Sequence, residues 1–387
     1  VTGQAQANLI PLLQLKPDVV VLAVSDSMQE NAKDFIKLLK TIGSYQDKNI
    51  IQFDQVPDVG LEAIVDKAME IEDGLQELYP QSLISYHATG GTKLMSLGFY
   101  TVFSNEKNRI LYCDMTHGEI ETLYPQKQSP IAIKSVLNIN DALLSMGQTY
   151  RKSAGEQWQE QANSRKELTK WLAQNAEELD QFFGCINGFV QKAIKQTSRG
   201  QLNEIEHPEH TFNFVPRKLW KEALKKLVKH NVVQWDESKP DYLYFHSLKG
   251  AEYIAGSWLE EFTWHIIKDL KPEEVKANVE FAESGALKSD IRNEMDCVVA
   301  HKNRLLLIEC KTINFKKGGD KNTDILYKLE SLGHRAAGLY GTKWLVSARL
   351  LDPNTLKRAQ EYNIKVISGS ELKDVKEQAK QWMDGKT

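Results

Sequence analysis

Sulfur is scarce in this 387-residue sequence: its four cysteines, Cys113, Cys185, Cys297 and Cys310, stand far apart and none has CxxC spacing. A zinc ribbon and a disulfide framework both lack support, and a reducing, cytoplasmic setting is expected. No stretch approaches about 18 consecutive apolar residues and no charged-then-apolar leader opens the chain, so neither a membrane span nor a signal peptide is expected. An excess of one charge is missing too. The 49 Lys and Arg against 52 Asp and Glu leave a formal charge of −3, which excludes a sequence-wide cationic coat and confines any nucleic-acid contact to a local patch. No GxxxxGK[ST] run is present, so an NTP-hydrolysing P-loop is disfavoured. No Ser/His/Asp or Cys/His signature is visible, so covalent catalysis is not expected. His207-Pro208-Glu209-His210 has HxxH spacing, but Pro208 sits between the histidines and no third ligand is near, which favours a polar loop over a metal site. His87 and His117 read as structural. The chain begins Val1-Thr2-Gly3 rather than with methionine, so residues ahead of this numbering, up to a whole first strand, are expected.

What the chain does have is alternation. Strand-like Val19–Val24, helix-like Met28–Ile42, strand-like Ile50–Phe53 and helix-like Leu61–Leu78 are followed by Leu83–Tyr86, Thr92–Phe103 and Arg109–Cys113. His117-Gly118 then turns into a further strand, Glu119–Leu123. Strands separated by helical stretches mean βαβ units, a mostly parallel sheet and helices on both faces: an α/β, doubly wound, Rossmann-like domain over residues 1–148. At its strand ends, Thr89-Gly90-Gly91-Thr92-Lys93 opens a helix, where free N–H groups and the positive dipole end meet a phosphate and Lys93 adds charge. The plainer reading is a glycine turn with Thr92 as helix cap. Ser25-Asp26-Ser27 and Thr2-Gly3-Gln4 are the other expected pocket loops.

Residues 149–249 read as a helical and winged-helix-like connector. The stretch 150–200 is polar and helical in period without strand signals, and Pro216–His230 leads into Val232–Trp235 and Tyr242–Phe245, a helix and short hairpin. The helix carries Lys221, Lys225, Lys226 and Lys229, which fit either a nucleic-acid face or an ordinary solvated one.

Residues 250–387 read as a second α/β domain: a helix over Ser257–Leu270, strands Met295–Ala300 and Leu305–Ile308, strand Trp344–Val346, a helix over Thr355–Tyr362, strand Lys365–Ile367 and a helix over Glu371–Trp382. Glu309 and Lys311, two apart, share one strand face, while Cys310 points the other way. A hairpin about Lys302-Asn303 places Asp296 opposite Glu309. Two carboxylates beside one lysine suit phosphodiester cleavage: Asp296 and Glu309 are expected to bind Mg²⁺ or Mn²⁺, with the Cys310 carbonyl as a third oxygen, and Lys311 to orient water or offset developing charge. The bland alternative is an exposed ion pair worth about 0.5 kcal/mol. Against it, the apolar run Leu305–Ile308 delivers the pair into a costly, desolvated position. Glu260 or Glu261 on the preceding helix faces the sheet, and spacing does not choose between them. Lys328 reaches a substrate phosphate or is simply solvated. The basic loop Lys316-Lys317-Gly318-Gly319-Asp320-Lys321 suits a strand-gripping flap.

Gly256-Ser257-Trp258-Leu259-Glu260, the Asp296 strand and Ile308-Glu309-Cys310-Lys311-Thr312 resemble the restriction-endonuclease-like PD-(D/E)xK domain of CRISPR-associated effectors that carry an N-terminal CARF (CRISPR-associated Rossmann fold) domain. Pro17-Asp18 leading into Val19–Ser25, and Ala88-Thr89-Gly90-Gly91-Thr92-Lys93, resemble CARF strand ends. The resemblance covers nearly the whole chain, least specifically its middle, and it makes Glu260 the acid of the helix. It implies a homodimer activated by a cyclic oligoadenylate, commonly the tetramer, that degrades single-stranded DNA, RNA or both in type III CRISPR immunity. Two rivals stand beside it: a ligand-responsive winged-helix transcription regulator and a constitutive repair or restriction nuclease.

Overall fold

The computed structural model describes residues 5–195, 204–284, 293–313, 315, 319–337 and 341–386. The chain divides into two units, Val1–Met146 and Gly147–Thr387.

The first unit runs α1 (Ala5–Leu15), β1 (Val20–Ala23), α2 (Gln29–Thr41), β2 (Ile50–Phe53), α3 (Leu61–Leu78), β3 (Ile84–His87), α4 (Lys93–Phe103), β4 (Asn108–Asp114), β5 (Glu119–Tyr124), β6 (Ile131–Ala132) and α5 (Ile139–Ser145). β1 pairs with β2 and β3 with β4 in parallel, whereas β4, β5 and β6 run antiparallel. The expected mostly parallel sheet is therefore parallel only over its first four strands, and its hydrogen bonds define two sheets, β1-β2 and β3-β4-β5-β6. The short turn at His117-Gly118 forces this, because a parallel partner needs a crossover of a dozen or more residues. Ile64, Ala68, Ile71 and Leu75 of α3 pack with Met95, Phe99 and Phe103 of α4 in one core, at the helical period. Gly98 permits the approach: a Cβ there would lie 2.5 Å from Ile64 Cγ2.

The second unit opens with β7 (Gln148–Lys152), α6 (Glu156–Ser164), α7 (Lys166–Gln174), α8 (Asp180–Ala193), the short β8 (Ile194–Lys195) and β9 (Glu204–Ile205), β10 (Glu209–Thr211), α9 (Lys218–Lys229), β11 (Gln234–Asp236), β12 (Lys239–Tyr244) and α10 (Leu248–Glu252). A π-helical turn, Tyr253–Ser257, then leads into α11 (Trp258–Lys268), β13 (Glu274–Glu283), β14 (Asn293–His301), β15 (Arg304–Lys311), α12 (Gly319–Ala337), β16 (Thr342–Ser347), α13 (Pro353–Glu361), β17 (Ile364–Ser368), a 3₁₀ turn (Gly369–Asp374) and α14 (Val375–Met383). The main sheet has the order β17-β16-β15-β14-β13-β7. β15, β16 and β17 are parallel, and β15, β14, β13 and β7 antiparallel.

Two strands of that sheet depart from the sequence reading. Gln148–Lys152, expected to lead into connecting helices, is an edge strand on β13; its polar composition suits an edge and hides it from a pattern search. β13 lies outside the expected strands, although Val275, Ala277, Val279 and Phe281 alternate strictly with polar residues. The helix and hairpin of the middle region form as expected, α9 beside a small sheet of order β10-β12-β11. Phe182 and Phe183 of α8 and Leu224 of α9 share one core with Trp258 of α11, Ile308 of β15, Trp344 of β16 and Trp382 of α14. Leu306, Ile308 and Cys310 of β15 point into this core, while Leu305, Leu307 and Glu309 are buried on the other face of the strand.

Candidate active site

Lys302 and Asn303 both adopt left-handed backbone, φ 50° and 58°, the requirement of a two-residue hairpin turn that matches strand twist. The turn fixes the register: Cys297 faces Ile308, so the next pair outward is Asp296 and Glu309. Glu309 is 2 % exposed. Its Oε1 receives Lys311 Nζ at 2.6 Å and, from α12, Lys328 Nζ at 3.3 Å. Its Oε2 is buried and has no hydrogen-bond partner among the described residues. Asp296 Oδ2 accepts the Cys310 N–H at 2.6 Å and lies 3.4 Å from Lys311 Nζ, which also donates to the Cys310 carbonyl at 3.0 Å. Cys310 turns its thiol to the opposite face, 3.5 Å from Thr263 Oγ1.

The helix acid is resolved by burial. Glu261, fully buried, ion-pairs with Arg165 and accepts Thr169 Oγ1 at 3.4 Å, away from the cluster. Glu260, its neighbour around the helix, senses the charges of Asp296, Lys311, Glu294 and Glu309; burial and then repulsion by Asp296 push its carboxyl up to about 8. Asp296 is pushed up to about 6 by burial and then by Glu309, with Lys311 opposing. Burial works to lower the Lys311 ammonium, but Asp296 and Glu309 outweigh it and hold its pKa above the ordinary lysine value.

Among the described residues, no three carboxylate, imidazole or thiol groups form a ready-made metal cage. Mg²⁺ and Mn²⁺ do not need one, since one or two carboxylates, waters and substrate phosphate complete their shell. The residues fit such an ion: a partnerless buried carboxylate oxygen on Glu309 and the mutual repulsion that raises Glu260 and Asp296 are both relieved by a cation. The Cys310 carbonyl, expected as a ligand, here accepts the Lys311 ammonium.

A pH dependence follows. A carboxyl whose folded pKa lies above its ordinary value contributes stability that is complete below the ordinary value and lost as pH rises through the folded one. For Glu260 that window runs from 4.5 to about 8, and for Asp296 from 3.8 to about 6. The metal-free protein is therefore expected to melt at a lower temperature at about pH 8 than at about pH 5. Thermal melts of wild type and Glu260→Gln check this: the variant should show a shallower fall, and equal slopes would remove Glu260 from the coupling.

In the first unit, two of the expected ligand loops, Ser25–Ser27 and Thr89–Lys93, follow β1 and β3, and both bond to Asp58 in the loop after β2. Thr92 caps α4, its Oγ1 accepting the Met95 N–H at 3.2 Å and donating to the Asp58 carbonyl at 3.3 Å. Ser27 Oγ donates to Asp58 Oδ2 at 3.4 Å and lies 3.2 Å from Ser25 Oγ. Asp26 begins the 3₁₀ turn after β1. Gly91, at φ 86°, takes the left-handed backbone that glycine adopts freely. Gly91, Thr92 and Lys93 are exposed, and Gly90 is half-buried. Thr89 Oγ1 accepts the Cys113 N–H at 2.7 Å, and burial pulls the neighbouring His87 down to about 4, leaving it neutral. The sequence reading missed the loop after β2 that carries Asp58, whose signal was its position at the end of an apolar strand. Thr2, Gly3 and Gln4 lie outside the described residues, as do Lys316, Lys317 and Gly318 of the basic loop, while Gly319 opens α12.

Three of the lysines on α9 have partners within the unit. Lys221 and Lys225 each lie 2.5 Å from Glu237 on the hairpin, and Lys226 lies 3.7 Å from Glu222 and 5.1 Å over the Trp171 ring. That arrangement favours the solvated-face reading.

Two stretches of the chain match families of known proteins. Residues 3–142 match the family described as Card1 CARF domain, and residues 249–385 the family described as Card1-like, endonuclease domain. The chain joins a Card1 CARF domain to a Card1-like endonuclease domain. Its endonuclease domain holds Glu260, Asp296, Glu309, Lys311 and Lys328, and its CARF domain holds Ser25–Ser27 and Thr89–Lys93. No curated protein matches the sequence. Among solved structures, Can2 from Sulfobacillus thermosulfidooxidans in complex with cyclic tetra-adenylate is similar at 22 % identity and TM-score 0.75, covering 99 % of this chain and 96 % of that one. Protein VC1899 from Vibrio cholerae is similar at 22 % identity and TM-score 0.78, with the same coverage. A type III CRISPR defence DNA nuclease activated by cyclic oligoadenylate matches at 14 % identity and TM-score 0.50, covering 90 % of this chain and 44 % of that one. These likenesses bear on the fold. Among the described residues, no helix is long and apolar enough to cross a membrane.

Proposed function

We propose that this chain is a cyclic oligoadenylate-activated, metal-dependent endonuclease that cuts single-stranded DNA or RNA in type III CRISPR defence. The observation that carries the proposal is the buried Glu309 carboxylate, held between Lys311 and Lys328 and opposite Asp296, with Glu260 facing them from α11. Asp296 and Glu309 would hold Mg²⁺ or Mn²⁺, which when bound supplies Lewis-acid stabilisation of a phosphoryl oxygen and a more acidic water. Lys311 sets a cation beside the reacting phosphate and Lys328 reaches the flanking one; Glu260, largely protonated near neutrality without a metal, is poised to give up its proton as the site fills.

The activator reading rests on the CARF domain, on the loops joined through Asp58, and on the cyclic tetra-adenylate bound by Can2. A cyclic tetranucleotide presents several phosphates to helix ends such as that of α4. Two copies would supply a matched pair of such ends, and exposed Leu94 and Leu97 on α4 offer apolar surface for that pairing. Differential affinity of the ligand for the active arrangement drives the switch.

The test uses labelled single-stranded DNA and RNA, Mn²⁺ or Mg²⁺, with and without cyclic tetra-adenylate, on wild type and Glu309→Ala/Lys311→Ala. Cleavage is expected only with metal and activator together and is lost in the double variant. Cleavage untouched by the substitutions overturns the catalytic assignment, and full activity without nucleotide turns the reading to a constitutive nuclease.

A further inference from the structure

Between the two halves of the cluster lies a contact that belongs to neither. Glu309 and Lys311 end β15, and Thr312 follows directly. Glu260 begins α11, and the π-helical turn Tyr253–Ser257 precedes it. In that turn the Trp258 N–H reaches back to the Tyr253 carbonyl, so the hydrogen-bond ladder slips by one residue at the start of α11. Such wide turns inside helices recur at functional sites. Thr312, 6 % exposed, donates its hydroxyl to the Ala255 carbonyl inside the turn. Gly256 lies against the same hydroxyl, a Cβ there falling 3.5 Å from Thr312 Oγ1. One hydrogen bond thus joins the strand that carries one carboxylate to the helix that carries the other.

The opposite side of the helix is anchored separately. Arg165 ion-pairs with buried Glu261 and lies 4.1 Å over the Tyr253 ring, and the Tyr253 hydroxyl is hydrogen-bonded to Thr169 at 2.9 Å. The rotation of the first turn of α11 is therefore fixed from behind, while Thr312 fixes its approach to β15.

We propose that Thr312 is a positioning residue of the nuclease centre, its hydroxyl locking the π-turn to the end of β15 so that Glu260 is held facing Asp296 and Glu309. This rests on the metal-dependent reading above. A buried threonine hydrogen bond whose role is purely structural would contribute to folding and leave ion binding alone. A positioning bond changes ion binding more than folding, since partners that orient ligands typically change metal affinity by about 10–100-fold.

The experiment is Mn²⁺ titration of the activator-free chain, both domains present, followed by electron paramagnetic resonance, together with thermal melts, on wild type, Thr312→Val, Thr312→Ala and Thr312→Ser. Thr312→Val and Thr312→Ala are expected to bind Mn²⁺ about tenfold more weakly, while Thr312→Ser, which keeps the hydroxyl, stays within about twofold of wild type. Thr312→Ala carries the comparison should Thr312→Val melt early. Wild-type affinity in Thr312→Ala, or binding by Thr312→Ser as weak as by Thr312→Ala, overturns the role of Thr312. A wild type that binds no Mn²⁺ overturns the metal reading itself, and this proposal with it.

Discussion

Replacing Lys311 with methionine is expected to lower turnover of single-strand cleavage by about two to three orders of magnitude while leaving the Mn²⁺ concentration at half-maximal rate unchanged or lower. The two effects separate because Lys311 has two relations to the cluster. Its ammonium, 2.6 Å from Glu309 and 3.4 Å from Asp296, competes with a divalent cation for the same carboxylates, so its removal does not weaken ion binding. It is also a fixed cation where negative charge grows on a phosphate under attack, and a group of that kind is worth about 3–4 kcal/mol in the transition state. Methionine keeps the length of the stem and removes the charge. Lys311→Arg is expected to rescue poorly, since a planar guanidinium cannot occupy the point between Glu309, Asp296 and the Cys310 carbonyl that an ammonium fills. Steady-state rates across a Mn²⁺ series decide it. A rise in the half-maximal metal concentration at unchanged turnover would make Lys311 a scaffold for the ion instead.

The Asp296 and Glu309 pairing was legible because a two-residue turn at Lys302-Asn303 determines every pair along the hairpin, and the run Leu305–Ile308 announces a buried strand. The choice between Glu260 and Glu261 was not legible from spacing. Adjacent helical residues differ by about a third of a turn, and what separates them is Arg165, 96 residues earlier in the chain. Thr312 was invisible as a positioning group for the same reason, since its partner carbonyl lies 57 residues away in a turn whose π geometry no periodicity reveals. The glycine turn and Thr92 cap were local and readable; Asp58, which joins two ligand loops through its carboxylate and its carbonyl, acts across the fold. β7 escaped because an edge strand needs no apolar face, whereas β13 carried its signal in full view.

Arg165→Met should destabilise the protein by about 3–5 kcal/mol, seen as a fall in melting temperature of about 10 °C. Glu261 is fully buried, and burial already raises its carboxyl against the opposing pull of Arg165. Without the guanidinium, Thr169 at 3.4 Å is its remaining hydrogen-bond partner, and an isolated carboxylate in that interior takes up a proton rather than remain charged. The sign of the pH dependence follows: a folded pKa raised further means stability present at low pH and lost as pH rises, so the deficit of the variant should be smaller at about pH 5 than at about pH 8. Arg165→Met/Glu261→Leu removes both charges and should recover most of the loss, because a buried pair replaced by apolar groups of similar volume is close to neutral in stability. A deficit independent of pH, with no recovery in the double variant, would mean that the stacking of Arg165 on Tyr253 carries the effect through packing. The pair is then best understood through what it orients: a buried ion pair is a poor way to stabilise a fold, but it fixes the first turn of α11 in one rotation, with Glu261 turned inward and Glu260 turned to the cluster.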